Sequence, residues 1–182
     1  MVALLLTLAV TSAFALAMIA ANSTTAAAFP GPPEQVHPTG PSLSWIASLL
    51  AQRPVPVTCW TDAQLQRYQR EYHQQVGGIE DAGAIYLAPN VCAWLQWTRA
   101  PHDWPDDADT RYWMAAAAGA LTHEVGHVVD GPDESGAECY AIAHMLRTLL
   151  LLGVDQDHAA ELTEIYRDRV HPGMPPAYTQ PC

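Results

Sequence analysis

Lysine is absent from this chain of 182 residues, and its fixed cations are eight arginines against nineteen acidic side chains. The resulting net charge of -11 excludes a protein built to grip a phosphate backbone, which needs a basic surface. No glycine-rich phosphate loop, internal repeat or nucleic-acid motif occurs, so no nucleic-acid partner is expected. The four cysteines, Cys59, Cys92, Cys139 and Cys182, contain no Cys-x-x-Cys pair. That counts against a cysteine zinc site and favours disulfides, and with them an exported protein.

The amino terminus lacks the basic residues that usually open a leader, yet Val2 to Ala21 is apolar and uncharged. About twenty such residues suit a membrane anchor, or a signal peptide cut after Ala15-Leu16-Ala17 or Ala26-Ala27-Ala28. Residues 1–28 are therefore expected to be a signal peptide or anchor. The protein is then secreted, or attached to a membrane and facing outwards. Phe29 to Pro41 holds five prolines and two glycines and reads as a stiff spacer. Residues 42–182 remain for one domain with one core.

Within it, Ser42 to Gln52 suits a short helix whose apolar stripe is Trp45, Ile46, Leu49 and Leu50. Pro54 to Trp60 reads as an extended edge strand, since its prolines forbid helix. Thr61-Asp62-Ala63-Gln64 is a capping box opening a helix to about Val76, where Gly77-Gly78 stops it, with His73 a surface residue on it. Ala84 to Leu87 reads as a strand, followed by a turn into a short helix around Val91 to Leu95. Asp109 is expected to cap a helix from Thr110 to Val129 whose run of alanines and Gly119 would let another element approach closely.

That helix carries the one stretch with chemistry in it, His123-Glu124-Val125-Gly126-His127. Helical spacing puts the two histidines one turn apart on one face, able to hold one zinc ion, with Glu124 beside them as a general base for an activated water. Asp130-Gly131-Pro132 should end the helix sharply, and a second should run from Asp133 or Glu134 to Leu152, stopped by Gly153. Glu134 and Glu138 share a face with Ala141, Ile142, Met145 and Leu149. Two acids at the head of an apolar stripe are costly unless they meet a cation or donors. Glu134 is thus expected to complete the metal site and Glu138 to orient a histidine from behind, with Asp133 and Glu138 the other options for third ligand. A third helix is expected from Asp157 to Val170, then a proline-rich surface tail. Of the three cysteine pairings, Cys59 with Cys92 and Cys139 with Cys182 is favoured, since the second would tie that tail to the helix after the metal motif.

The two motifs together, His123-Glu124-Val125-Gly126-His127 and Glu134-Ser135-Gly136-Ala137-Glu138, resemble those of zincin metallopeptidases of the gluzincin type. The resemblance covers about twenty residues. It implies an α+β domain, mainly helical, with a short sheet packed on the active-site helix. It also implies that His123, His127 and Glu134 bind zinc, that Glu124 is the catalytic base, and that Glu138 replaces an aspartate behind the site. The Gly-Pro-Asp at 131–133 is similar instead to the snapalysin type of small secreted metzincin, which would make Asp133 the ligand.

The expected activity is hydrolysis of a peptide or protein substrate, with Ala84 to Leu87 beside the cleft and an oxyanion donor among Tyr140, His144, Tyr166 and His171. The alternatives are an exported binding or scaffold protein with this fold, a closed structural zinc site using both acids, and hydrolysis of a non-peptide amide. Oligomeric state is not legible in the sequence.

Overall fold

A computed structural model describes residues 32, 40–72, 77–100 and 103–182. The segments expected to form a signal peptide or anchor and most of the expected spacer, like His73, lie outside the described residues. The elements, in chain order, are α1 (Leu43–Ala51), β1 (Val57–Cys59), α2 (Asp62–Tyr72), β2 (Gly78–Asp81), β3 (Ala84–Leu87), α3 (Pro89–Thr98), α4 (Ala108–Asp130), α5 (Glu134–Leu152) and α6 (Gln156–Ile165). A π-helical turn, Tyr166–Val170, and a 3-10 turn, His171–Gly173, follow α6. The domain is α+β and mainly helical, with one three-stranded sheet in the order β1-β3-β2.

Local chemistry explains most of the boundaries. Ser42 caps α1, Asp133 caps α5 through the Gly136 amide at 2.8 Å, and Gly131 and Gly153 close α4 and α5 at φ 94°. The Thr61–Gln64 capping box forms as expected, the Gln64 carbonyl accepting from the Thr61 amide at 2.8 Å. Helix α4 starts a little earlier than expected, because Asp107 rather than Asp109 accepts from the Thr110 amide at 2.6 Å. In α1 the buried stripe is Leu43, Ile46, Ala47 and Leu50, whereas Trp45 and Leu49 point outwards.

The sheet differs from expectation in one respect that matters. Gly77-Gly78 does not lead into a loop but opens β2, which pairs antiparallel with β3 through a tight turn at Ala82-Gly83, both at positive φ. Strand β1 pairs with β3 in parallel, so β3 is the central strand and its edges are both taken. The edge beside α4 belongs to β2.

Helices α4 and α5 form the centre of the core, with Leu121, Val125, Ala141, Met145 and Leu149 fully buried. Small residues set their distance. A Cβ on Gly126 would lie 2.7 Å from the Ala137 backbone, and one on Gly119 would lie 1.9 Å from the Tyr166 ring. These contacts draw α5 and the end of α6 onto the helix that carries the His-Glu-x-x-His motif. The π turn corrects the expectation of one helix to Val170, and it carries Tyr166 and leads into His171.

Disulfides join Cys59 to Cys92 and Cys139 to Cys182. The first ties β1 to α3 and the second ties the tail to α5. Both are compatible with an extracellular protein. Among the described residues no helix is long and apolar enough to cross a membrane.

Candidate metal centre

His123 and His127 lie one turn apart on α4, and the short turn through Gly131 and Pro132 returns the chain so that Glu134, in the first turn of α5, faces them. One donor atom from each of the three comes within 4.8 Å of the others. Glu134 Oε2 is 3.1 Å from His123 Nε2 and 3.3 Å from His127 Nε2.

The far side of each imidazole decides what the near side can do. His123 Nδ1 is 3.1 Å from Glu138 Oε2, and His127 Nδ1 is 2.9 Å from the Gly131 carbonyl. A carboxylate and a carbonyl only accept, so each Nδ1 carries a hydrogen. In the chain alone each Nε2 can carry a proton as well and donate to Glu134; with those protons gone, two lone pairs and a carboxylate oxygen point at one place, where a cation can replace them. Burial opposes charge on His123, yet Glu134 and Glu138 outweigh it and hold that imidazole up at about 9 in the chain alone. Hydrogen bonds from His123 and then His127 hold the Glu134 carboxyl well below the usual carboxylate range. Two imidazoles and a carboxylate suit a divalent metal of the zinc kind, so the donor set fits.

Glu138 is fully buried and richly supplied. It accepts from Tyr166 Oη at 2.8 and 3.0 Å, from His171 Nδ1 at 2.9 Å and from His123. Burial alone would raise its carboxyl, but these donors outweigh it and hold it low. Glu138 meets only the Nδ1 side of His123, so of the two acids only Glu134 reaches the converging Nε2 atoms.

Glu124 is also buried, at 6 % exposure, and its Oε2 meets no donor among the described residues. Burial pushes its carboxyl up to about 7, with His123 and His127 pulling the other way. Strand β2 lies directly over it, since a Cβ on Gly78 would come within 2.9 Å of Glu124 Cγ and Oε1. Glu124, His123, His127 and Glu134 all line one cleft of about 1070 Å³, with β2 along one wall.

Two expectations are corrected. Asp133 is spent on capping, its Oδ2 accepting from the Gly136 amide and from Ser135 Oγ at 3.0 Å, so it does not join the cluster. The strand beside the cleft is β2 and not Ala84 to Leu87, because β3 is internal to the sheet. Of the four oxyanion candidates, Tyr166 and His171 are committed to Glu138, while Tyr140 donates to the Leu50 carbonyl at 3.0 Å and stacks on His144. None of the four lines the cleft. Tyr178, which sequence reasoning missed, does: its ring lies 5.2 Å from that of His123, and burial followed by Glu134, to which it hydrogen-bonds, pushes its phenol up. A signal was available in its place four residues before Cys182, whose bond to Cys139 returns the tail to the residue after Glu138. No protein-family profile, curated protein or solved structure matches the chain, and the chemistry of this centre is therefore read from its own donors.

Proposed function

We propose that the protein is an exported zinc-dependent metallopeptidase of the zincin type. His123, His127 and Glu134 are its ligands, Glu124 is the general base, and Glu138 orients His123. The observation that carries this reading is the buried Glu124 carboxyl, in a residue that lines the cleft beside a converging metal donor set and whose Oε2 meets no donor among the described residues. A closed structural site has no use for such a group, and its uncompensated burial is a cost to the fold. That Glu138 is fully engaged behind His123 also speaks against a site in which both acids bind and no position stays free for water.

Zinc, when bound, supplies Lewis-acid polarisation of a water and of the scissile carbonyl. Glu124 takes the proton of the attacking water and passes it to the leaving amine. Burial favours the protonated form of this carboxyl, which suits a group that must take up a proton and give it back. Tyr178 lines the cleft and its hydroxyl bonds Glu134; it can serve the developing oxyanion once that carboxylate turns to the metal, while Glu138 and the Gly131 carbonyl keep both imidazoles in the ligating tautomer. The outer edge of β2 offers backbone groups along which an extended peptide can add as a further strand.

The test is metal analysis together with digestion of a mixed peptide library. Wild type is expected to bind one zinc and cleave, Glu134→Ala to lose the metal, and Asp133→Ala to keep it. A zinc-loaded wild type that cleaves no peptide supports the scaffold reading instead.

A further inference from the structure

Strand β2 has two faces, and Glu124 lies under only one. Gly78 lies on Glu124, so by alternation Ile79 and Asp81 turn to the opposite face, where Ile79 stands across from Tyr86 of β3. On that face four rings meet in a row. Trp60 lies 5.1 Å from Tyr68 and 5.9 Å from Tyr86, and Tyr68 lies 4.6 Å from Tyr72. With Ile79 they line a hollow of about 320 Å³.

The hollow is poorly explained as core. Helix α2 buries no residue, and Tyr72 is 55 % exposed. One exposed ring and three half-buried ones around an open hollow form the kind of apolar patch that marks a binding site. Its position says what it would bind, because Tyr68, Tyr72, Ile79 and Asp81 line both the hollow and the metal cleft. The two spaces are continuous around β2. A peptide added along β2 sends alternate side chains to the two faces of the sheet, one set into the metal cleft and the next onto the rings.

We propose that the hollow formed by Trp60, Tyr68, Tyr72 and Tyr86 is a substrate subsite for one aromatic or large aliphatic side chain, one strand position from the residue facing the metal centre. This rests on the peptidase reading above. The rings favour a flat or bulky apolar group because they pack largely against one another and, with Ile79, form most of the lining; of the two acids there, Glu71 is engaged by the Tyr72 hydroxyl, and Arg67 in the same lining offsets Asp81.

The experiment compares zinc-loaded wild type with the double variant Tyr68→Ser/Tyr72→Ser on matched peptides carrying Phe, Leu, Arg or Ala at each position near the cleaved bond. Wild type is expected to prefer Phe and Leu at one fixed position. The double variant should keep its zinc while its kcat/KM ratio of Phe over Ala falls about tenfold. No preference, a preference for Arg, or a ratio unmoved by the substitutions overturns the subsite. A binding arm separates this from failure of the peptidase reading. If wild type cleaves nothing, quenching of Trp60 fluorescence by a Phe tripeptide but not an Ala tripeptide, lost in Trp60→Phe and weakened in the double variant, keeps the hollow as an aromatic peptide site. Equal response to both tripeptides overturns it.

Discussion

Behind His123, between α5 and the π turn, Glu138 is wholly buried and bonded by Tyr166, His171 and His123 itself, and its carboxyl is held low. In front of the same helix, under β2, Glu124 is almost as buried, but one oxygen has no donor and its carboxyl rises to about 7. The two regions bury the same side chain in one small core and obtain opposite protonation behaviour. Burial pushes both carboxyls up; at Glu138 its donors outweigh that push, and at Glu124 they do not. A satisfied carboxylate is a fixed anion that steers an imidazole; an unsatisfied one is a place to put a proton.

Breaking the satisfied side should damage the fold first and the metal second. Glu138→Ala leaves Tyr166, His171 and His123 without their common acceptor, at a cost of about 3–5 kcal/mol, seen as a lower denaturation midpoint. The Glu138→Gln variant, which keeps the shape but not the charge, should weaken zinc binding by about 10- to 100-fold in a competition titration. Gly126→Ala forces α5 away from α4 against backbone that cannot yield, costing up to about 3 kcal/mol in thermal unfolding. Tyr166→Phe removes one donor from Glu138 and should cost about 2 kcal/mol while zinc stoichiometry stays at one per chain. Asp133→Ala loses only an exposed helix cap, about 1 kcal/mol, and leaves zinc affinity unchanged. A metal lost with Asp133 rather than with Glu134 would reverse the assignment of the third donor.

What was legible in the sequence was local. The helical spacing of His123 and His127, the capping box at Thr61 to Gln64, and the stops at Gly131 and Gly153 each depend on a few neighbouring residues. So does the oddity of two acids leading an apolar stripe, which pointed to Glu134 and Glu138. The pairing of Cys139 with Cys182 follows from a proline-rich tail that needs tying down. Strand β2 was hidden because Gly77-Gly78 looks like a helix stop and Ile79-Glu80-Asp81 is short and acidic, and with it was hidden the true edge of the sheet. Tyr166 and His171 reach Glu138 only through a π turn that no periodicity announces. Tyr178 reaches His123 only because a disulfide folds the tail back, and the row of rings at Trp60 depends on packing between α2, β1 and β3.

The central claim, that Glu124 is a base beside a metal held by its neighbours, is tested most directly by Glu124→Gln, scored for zinc content and peptide cleavage together. The account predicts one zinc per chain, an unchanged or slightly raised denaturation midpoint, and kcat/KM lower by about 10²–10⁴-fold. Cleavage at the wild-type rate in the zinc-loaded variant would contradict it.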